Sequence, residues 1–296
     1  MFDRRTFLKL LAGLGFAGIG TSAYGAYQLP SSAPRITPYR LTPRGWTPGL
    51  KLKIAALSDL HCGGVHMPLS RVATIVETTN ALKPDLILLL GDYVTRIDRN
   101  VHDLTPANWA PELARLSAPL GVFSIPGNHE YWDDPEFQRP RTGIPAASRA
   151  LIAHGIPMLL NKALSLSKDG QRFWLAGVDD QIAFRLGRNW QQGLDDLEGT
   201  LAQVTDDAPV VLMAHEPDLF VRVPERVSLT LSGHTHGGQI RLFGWSPYVP
   251  SQFGNRFAYG HVQENGRDLI VSCGLGTSGP PFRLGAPPEI VWIELG

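Results

Sequence analysis

The sequence has little cysteine, no excess of either charge and no internal repeat. Two cysteines, Cys62 and Cys273, are too few for the disulfide framework of a small secreted scaffold. Lys plus Arg and Asp plus Glu both total 27, whereas proteins that bind a nucleic-acid backbone usually carry a basic excess or stripe. We therefore expect no nucleic-acid partner. With 296 residues, 43% of them hydrophobic, the chain can bury one large core or two small ones.

The N-terminus has the pattern of an export signal. Arg4-Arg5 is followed by an apolar run over residues 10–26, which resembles the twin-arginine export motif; an ordinary signal anchor with flanking arginines is the alternative. The cleavage region at residues 23–25 is poor, and residues 7–27 approach the ~20 residues that span a bilayer. We expect export by the twin-arginine translocase to the periplasmic or extracytoplasmic side of the inner membrane, and membrane association through an uncleaved residue 7–27 segment stays open.

Composition divides the chain into three parts. Residues 1–27 form the predicted twin-arginine signal or membrane anchor. Residues 28–50 contain five prolines and are predicted to form an extended linker. The catalytic domain is then predicted to occupy residues 51–296.

Short apolar runs bounded by turn residues indicate buried strands within that domain. Five such runs end directly in polar residues, at 52–57, 86–90, 122–125, 210–214 and 227–231. Further strands are predicted at 173–178, 268–272 and 290–295, and helices at 69–82, 107–116, 145–154 and 190–203. Alternating strands and helices are typical of a layered α/β fold.

The polar clusters at the strand ends contain acids, histidines and one amide. They are Asp59, His61, Asp92, Asn128, His129, His215, His234 and His236. Ligands of α/β sheets bind outside the carboxyl ends of the strands, so we expect these side chains to converge. Imidazole, carboxylate and carbonyl ligands suit divalent Mn, Fe or Zn. Two such ions about 3.5–4 Å apart can clamp a phosphate and generate a hydroxide nucleophile near neutral pH.

The order of these motifs resembles the calcineurin-like metallophosphoesterase superfamily. The motifs are Asp59-Leu60-His61, Gly91-Asp92, Gly127-Asn128-His129-Glu130, His215 and Gly233-His234-Thr235-His236. The resemblance implies an α/β fold of four αββα layers with two mixed sheets. It also implies two divalent metal ions with Asp92 shared between them. One ion would be held by Asp59, His61, Asp92 and His236, and the other by Asp92, Asn128, His215 and His234. His129 would be the catalytic residue beside the leaving group, and Glu130 is expected to orient a neighbouring histidine.

Segments 237–250 and 274–283 resemble a bacterial membrane-associated branch that includes twin-arginine-exported phosphoesterases and UDP-diacylglucosamine pyrophosphatases. This resemblance implies a metal-dependent phosphohydrolase, most simply a phosphodiesterase, that uses a metal-bound hydroxide to attack a phosphoester substrate of the cell envelope. The alternatives are a UDP-diacylglucosamine-type lipid pyrophosphatase and a non-catalytic envelope-binding protein. Arg283 is predicted to contact a substrate phosphate or to pair with Glu289. The aromatic residues at 245–259 suit either a lipid surface or a buried hairpin.

Overall fold

The computed structural model describes residues 33–63, 67–95, 104–186, 191–279 and 282–296. The strands in these ranges are, along the chain, β1 (Arg35–Leu41), β2 (Leu52–Leu57), β3 (Leu86–Leu89), β4 (Val122–Ser124), β5 (Lys162–Lys168), β6 (Gln171–Gly177), β7 (Phe184–Arg185), β8 (Gln191–Gln192), β9 (Val210–Met213), β10 (Leu229–Ser232), β11 (Gly260–Glu264), β12 (Arg267–Val271) and β13 (Glu289–Leu295). The α-helices are α1 (Leu69–Ala81), α2 (Pro106–Leu113), α3 (Asn128–Trp132), α4 (Pro135–Gln138), α5 (Ala146–Ala153) and α6 (Leu197–Leu201). Short 3-10 turns cover Pro217–Arg222, His236–Gly238 and Gly254–Phe257.

Two large mixed sheets form the centre of the fold. The first has the order β1-β13-β2-β3-β4, and the second has the order β11-β12-β10-β9-β6-β5. Within the first sheet, β2, β3 and β4 are parallel neighbours. Within the second, β6, β9, β10 and β12 are parallel neighbours. Each sheet therefore sends the carboxyl ends of several central strands toward one edge.

Three apolar clusters separate the layers. The inner faces of both sheets meet in one core, which includes Ile54 and Leu88 from the first sheet and Val211 from the second. The outer face of the first sheet packs on helices through residues such as Val72 and Trp109. The outer face of the second sheet is covered by a third cluster that contains Leu197 of α6 and Phe220. The order helix, sheet, sheet, helix confirms the predicted α/β fold with two mixed sheets.

Two sequence expectations about elements need correction. Part of the predicted linker is strand β1, which pairs in parallel register with β13, and Leu50 is buried in the core. Pro38 fits there because β1 is an edge strand with a ladder on one side only. The predicted helix 190–203 shrinks to α6, because residues 191–192 form β8 and Asp196 caps the helix by accepting from the Gly199 N–H at 2.8 Å.

The predicted signal or anchor, residues 1–27, lies outside the described residues. Of the helices in the described ranges, none has the length and apolar composition that a bilayer crossing requires.

Candidate metal centre

The eight polar side chains singled out in the sequence lie beyond the carboxyl ends of five parallel strands. Asp59 and His61 follow β2, and Asp92 follows β3. Asn128 and His129 begin α3 after β4. His215 follows β9, whereas His234 and His236 follow β10. The first three strands belong to one sheet and the last two to the other, so the site forms where the two sheets meet.

Five of these residues hold the backbone in the left-handed region, where a side chain is strained. Their φ angles are 53° for Asp59, 47° for His61, 56° for Asp92, 68° for His234 and 53° for His236. Each such residue costs roughly 1–2 kcal/mol. Strain of this kind persists where the surrounding fold holds it in place, and it concentrates at functional sites.

The first group of converging side chains is Asp59, His61, Asp92 and His236, all buried, with ligand atoms within 4.8 Å of one another. Nε2 of His61 lies 3.0 Å from Nε2 of His236 and 3.6 Å from Oδ2 of Asp92. Oδ1 of Asp59 lies 3.5 Å from Nε2 of His236. Two carboxylate oxygens and two imidazole nitrogens thus face one point.

The second group, Asp92, His215 and His234, also has its ligand atoms within 4.8 Å of one another. Nε2 of His215 lies 3.2 Å from Oδ2 of Asp92, without the geometry of a hydrogen bond. Oδ1 of Asn128 lies 2.8 Å from Nδ1 of His234 and adds an amide oxygen to this group. Asp92 belongs to both groups.

Backbone carbonyls fix the orientation of two histidines. Nδ1 of His61 donates to the carbonyl of Val94 at 2.9 Å, and Nδ1 of His215 donates to the carbonyl of Leu90 at 2.6 Å. In each ring, Nε2 is then the nitrogen that faces the site. This is the way metal-binding histidines are usually held.

Glu130 braces the loops instead of orienting a histidine, which corrects the sequence expectation. Its buried carboxylate accepts from the N–H groups of Gly127 at 2.7 Å, Asp92 at 2.9 Å and Tyr93 at 2.8 Å. It therefore ties the loop after β3 to the loop after β4. Burial and the charge of Asp92 raise the pKa of Glu130 to about 7, while these N–H groups oppose the rise.

Burial sets the charge state of the first group. It lowers the pKa of His61 to about 4 and holds the pKa of His236 well below its ordinary value, so both rings are neutral near pH 7. Burial raises the pKa of Asp59 to about 6, helped by the charge of Asp92. Burial opposes the ionised form of Asp92 as well, but His215 and His129 hold its pKa well below the ordinary value.

His129 lies beside the two groups and differs from the other histidines. Nδ1 donates to Oδ2 of Asp133 at 2.6 Å, and Nε2 lies 3.4 Å from Oγ of Ser278. Burial alone would lower the pKa of His129, but the carboxylates of Asp92 and Asp133 outweigh it and raise the pKa to about 9. The ring is therefore protonated at neutral pH, with Nε2–H available as a donor.

Sequence reasoning missed several polar residues of the site. Asp133 could have been found, because it lies four positions after His129, at the end of one helical turn. Ser278 gave no local signal, because its contact with His129 joins positions far apart in the chain. Glu216 follows His215 directly, and its Oε1 lies 3.9 Å from Nδ1 of His234.

Arg283 and Cys62, which adjoin the site, both have structural contacts of their own. Arg283 is buried and donates to the carbonyls of Gly276 at 2.7 Å and Ala286 at 3.1 Å, with its Nη2 3.1 Å from Nδ1 of His236. In the described part of the chain Arg283 forms no hydrogen bond to Glu289, and its contact with a substrate phosphate stays a prediction. Cys62 packs in the apolar cluster under the helices, and burial raises the pKa of its thiol.

The residues present fit divalent metal ions. The donor set combines imidazoles, carboxylates and an amide oxygen, which suits borderline divalent cations. Buried Nε2 of His215 lacks a hydrogen-bond partner in the described part of the chain, and a cation would satisfy it. Cations would also offset the repulsion between the buried carboxylates of Asp59 and Asp92.

Comparison with known proteins gives one consistent result. Residues 52–238 match the family model described as calcineurin-like phosphoesterase. The chain is 31% identical to the uncharacterized metallophosphoesterase YkuE of Bacillus subtilis over 99% of its length and 97% of that protein. It is 32% identical to an uncharacterized metallophosphoesterase of Aquifex aeolicus over 92% of its length and 95% of that protein. A bovine protein named transmembrane protein with metallophosphoesterase domain is 30% identical over 82% of this chain, which spans 53% of that protein.

Proposed function

The chain belongs to the calcineurin-like phosphoesterase family and is a phosphoester hydrolase, and we propose that it is a two-metal phosphodiesterase of the cell envelope. In this proposal, one ion is held by Asp59, His61, Asp92 and His236. The second is held by Asp92, Asn128, His215 and His234. When bound, two divalent cations supply Lewis-acid activation of water and of the phosphoryl oxygens.

One observation carries the proposal. The buried carboxylate of Asp92 is shared by two separate groups of ligand atoms, each spanning no more than 4.8 Å. A single ion with an open position needs about three protein ligands, as in catalytic zinc sites. The described site offers more than three protein ligands. The ligands divide into two groups that share one carboxylate, which matches a pair of ions.

The protein's own groups act at three places. Glu130 and the carbonyls that hold His61 and His215 fix the ligands before substrate arrives. Asp92 also accepts from the N–H of His129 at 2.9 Å, which sets the position of that ring relative to the ligands. His129, kept protonated by the carboxylates of Asp92 and Asp133, then donates the proton of Nε2 to the departing ester oxygen.

The preference for a diester in this proposal comes from the sequence resemblance, because the leaving group is an alkoxide in alkyl monoesters and diesters alike. An alkoxide leaves poorly unless it is protonated as the P–O bond breaks, and the protonated ring of His129 meets that need. Arg283, a buried cation next to His236, is fixed by backbone carbonyls.

The envelope location rests on the sequence. Arg4-Arg5 and the apolar run after it support twin-arginine export, and that translocase carries folded proteins, so the metal site could be loaded before export. Membrane association through residues 7–27 is part of the same proposal. A UDP-diacylglucosamine-type pyrophosphatase, whose substrate lies on the cytoplasmic face, remains the alternative if the chain is not exported.

The test uses Asp92→Asn in the full chain, with Asp169→Asn as the matched control. Both aspartates have positive φ, 56° and 52°, so the backbone effect of the change is similar, but Asp169 is exposed and far from the site. We expect Asp92→Asn to lose bound metal and hydrolysis of bis(p-nitrophenyl) phosphate. Unchanged turnover and metal content in that variant would overturn the proposal. A wild-type protein that binds envelope material but hydrolyses no mono-, di- or pyrophosphate ester would favour the non-catalytic alternative.

A further inference from the structure

Large apolar side chains are exposed together on one loop that follows the metal centre. This aromatic loop spans residues 242–248, and its exposed members are Leu242, Phe243, Trp245 and Tyr248. Phe243 is fully exposed, and Tyr248 is 74% exposed. The other exposed large apolar side chains of the described residues, Leu69, Ile152 and Val221, lie on three separate elements. Scattered single residues of that kind are ordinary, whereas a cluster marks an interaction surface.

Phe243, at the tip of the aromatic loop, is an unfavourable residue for its position, because its backbone has positive φ and its apolar side chain is exposed. Leu242 and Trp245 exchange two backbone hydrogen bonds, at 2.8 and 3.0 Å, across a tight turn. The central residues, Phe243 and Gly244, both have positive φ, 51° and 85°, as in a type I′ turn. Asn-Gly is the usual pair at such a turn. A bulky aromatic ring there is strained as well as exposed, so its presence points to a function outside the fold.

The base of the aromatic loop is fixed. Ser246 is buried, and its hydroxyl donates to the carbonyl of Gly237 at 2.9 Å. Asn255 accepts from the Ser246 N–H and donates to the Ser246 carbonyl, both at 2.8 Å. The exposed rings are therefore presented from a rigid support, which lowers the entropy that binding must overcome.

The aromatic loop is joined to the metal centre by a short chain of contacts. Gln239, three positions before the loop, donates to the carbonyl of Ser278 at 2.8 Å and accepts from its N–H at 2.7 Å. The hydroxyl of Ser278 faces Nε2 of His129 at 3.4 Å. The loop thus lies on the side of the site where a leaving group departs.

The N-terminal segment enters the domain near the same place. The N–H of Arg35, at the start of β1, donates to the carbonyl of Pro288 at 2.9 Å. Leu284 lies four positions before Pro288. Its carbonyl accepts from the N–H of Arg241, next to the aromatic loop, at 2.7 Å. Residues 28–34 can reach about 25 Å when extended. An anchor in residues 7–27 would therefore hold the bilayer within reach of the loop.

We propose that the aromatic loop inserts into the interfacial layer of a phospholipid bilayer and holds the metal centre at the level of the headgroups. Trp and Tyr suit that layer, because their rings are apolar and their tips are polar. Residues 239–257 contain Arg241 and Arg256 but no acidic residue, and Arg256 offsets the charge of neighbouring Glu264, so this segment adds no negative charge that would repel anionic lipids. The inference concerns binding, so it can hold or fail independently of the reaction.

The first test measures the depth of Trp245 in the bilayer. The full chain is reconstituted into phosphatidylcholine–phosphatidylglycerol vesicles with brominated acyl chains, which quench tryptophan at the interface. The chain has seven tryptophans, so wild type is compared with Trp245→Phe, which keeps an aromatic ring. We expect quenching in wild type to exceed quenching in the variant by the contribution of one exposed tryptophan. Equal quenching in the two proteins would overturn the proposal.

The second test compares Phe243→Ser/Trp245→Ser with the control Ile152→Ser/Val221→Ser, which removes exposed apolar side chains elsewhere. Hydrolysis of a phosphodiester embedded in vesicles, divided by hydrolysis of a soluble aryl phosphodiester, should fall about tenfold in the loop variant alone. An unchanged ratio would contradict the proposal. A further outcome is that wild type self-associates, the loop variant does not, and brominated lipid quenches neither protein. That outcome would assign the surface to a second copy of the chain and would also overturn the proposal.

Discussion

The ring of His129 and the carboxylate of Asp133 form a half-buried pair, with Nδ1 2.6 Å from Oδ2, at the open side of the candidate metal centre. The pair joins the first residues of α3 to the position that ends it. Because Asp133 holds Nδ1–H, the opposite nitrogen points away from the carboxylate and toward the site. This contact thus sets the orientation of the ring, and the charges of Asp92 and Asp133 together raise its pKa.

Asp133→Asn should shift the alkaline side of the pH–rate profile to lower pH. A general acid works only while protonated, so activity is present below its pKa and is lost as the pH rises through it. Asp133 helps to raise the pKa of His129 to about 9, and its removal lowers that pKa. We expect kcat to fall about tenfold with an alkyl leaving group, less than the 10²–10⁴ typical of a whole general acid.

The comparison is kcat against pH for an alkyl and an aryl phosphodiester. A nitrophenolate needs little protonation, so its hydrolysis should suffer less. Glu136→Gln, three positions further along and exposed, removes the same charge and serves as the control. If Asp133→Asn and the control give the same profile as wild type, the pair has no role in catalysis.

Glu130→Gln should destabilise the site and the fold together. The buried carboxylate accepts several backbone N–H groups, and an amide nitrogen in place of one oxygen would leave donors facing a donor. An unsatisfied buried donor costs about 1–3 kcal/mol, so we expect the free energy of unfolding to fall by about 2–3 kcal/mol. Urea titration measures the change. Glu198→Gln, exposed in the first turn of α6, should cost under about 0.5 kcal/mol.

Gly91→Ala should abolish activity, whereas Gly155→Ala should be tolerated. Both glycines have positive φ, 97° and 83°, so the backbone strain of the change is comparable. A Cβ at Gly91 would lie 2.6 Å from Nδ1 of His215 and 2.7 Å from the N of Gly127, whereas a Cβ at Gly155 meets nothing within 4 Å. The clash would displace the ring that faces Asp92. Metal content and turnover of the two folded variants give the comparison, and equal activity would show that the loop adapts.

Metal removal should lower the thermal stability, and metal return should restore it. Cations between the side chains of the site would offset the repulsion between the buried carboxylates and would bind the imidazole nitrogens that face them. A ligand at 100 times its Kd stabilises the fold by about 2.7 kcal/mol. Scanning calorimetry of chelated protein with Mn or Zn added back measures the shift. Asp92→Asn should show no metal-dependent shift, and a shift equal to that of wild type would place the ions elsewhere.

Much of the fold and site could be predicted because the decisive signals are local. Strands such as β2 and β9 are buried on both faces, so they appear as apolar runs, and the ligands follow them directly. Edge strands gave no such signal. In β5 the residues alternate between exposed and half-buried, and β1 contains Pro38, which is acceptable only because one side of that strand has no ladder.

The long-range contacts of the site could not be predicted from the sequence. Glu130 bonds to the loop after β3, almost forty positions away, and Ser278 reaches His129 from the far end of the chain. The exposure of Trp245 also depends on how its loop packs, since the nearby Phe257 is buried. Such contacts are properties of the packed sheets rather than of any segment.

Replacing Arg4-Arg5 with Lys-Lys should strand the protein in the cytoplasm. The translocase receptor reads the arginine pair, and lysine keeps the charge while losing the planar guanidinium. Fractionation of a bacterial host, with and without a functional twin-arginine translocase, measures the location, and Arg139→Lys/Arg141→Lys in the folded domain is the control. Export of the Lys-Lys variant at the wild-type level would contradict the assignment. Wild-type protein that stays in the cytoplasm would instead favour the lipid pyrophosphatase alternative, because the metal centre could then meet a substrate on the inner face of the membrane.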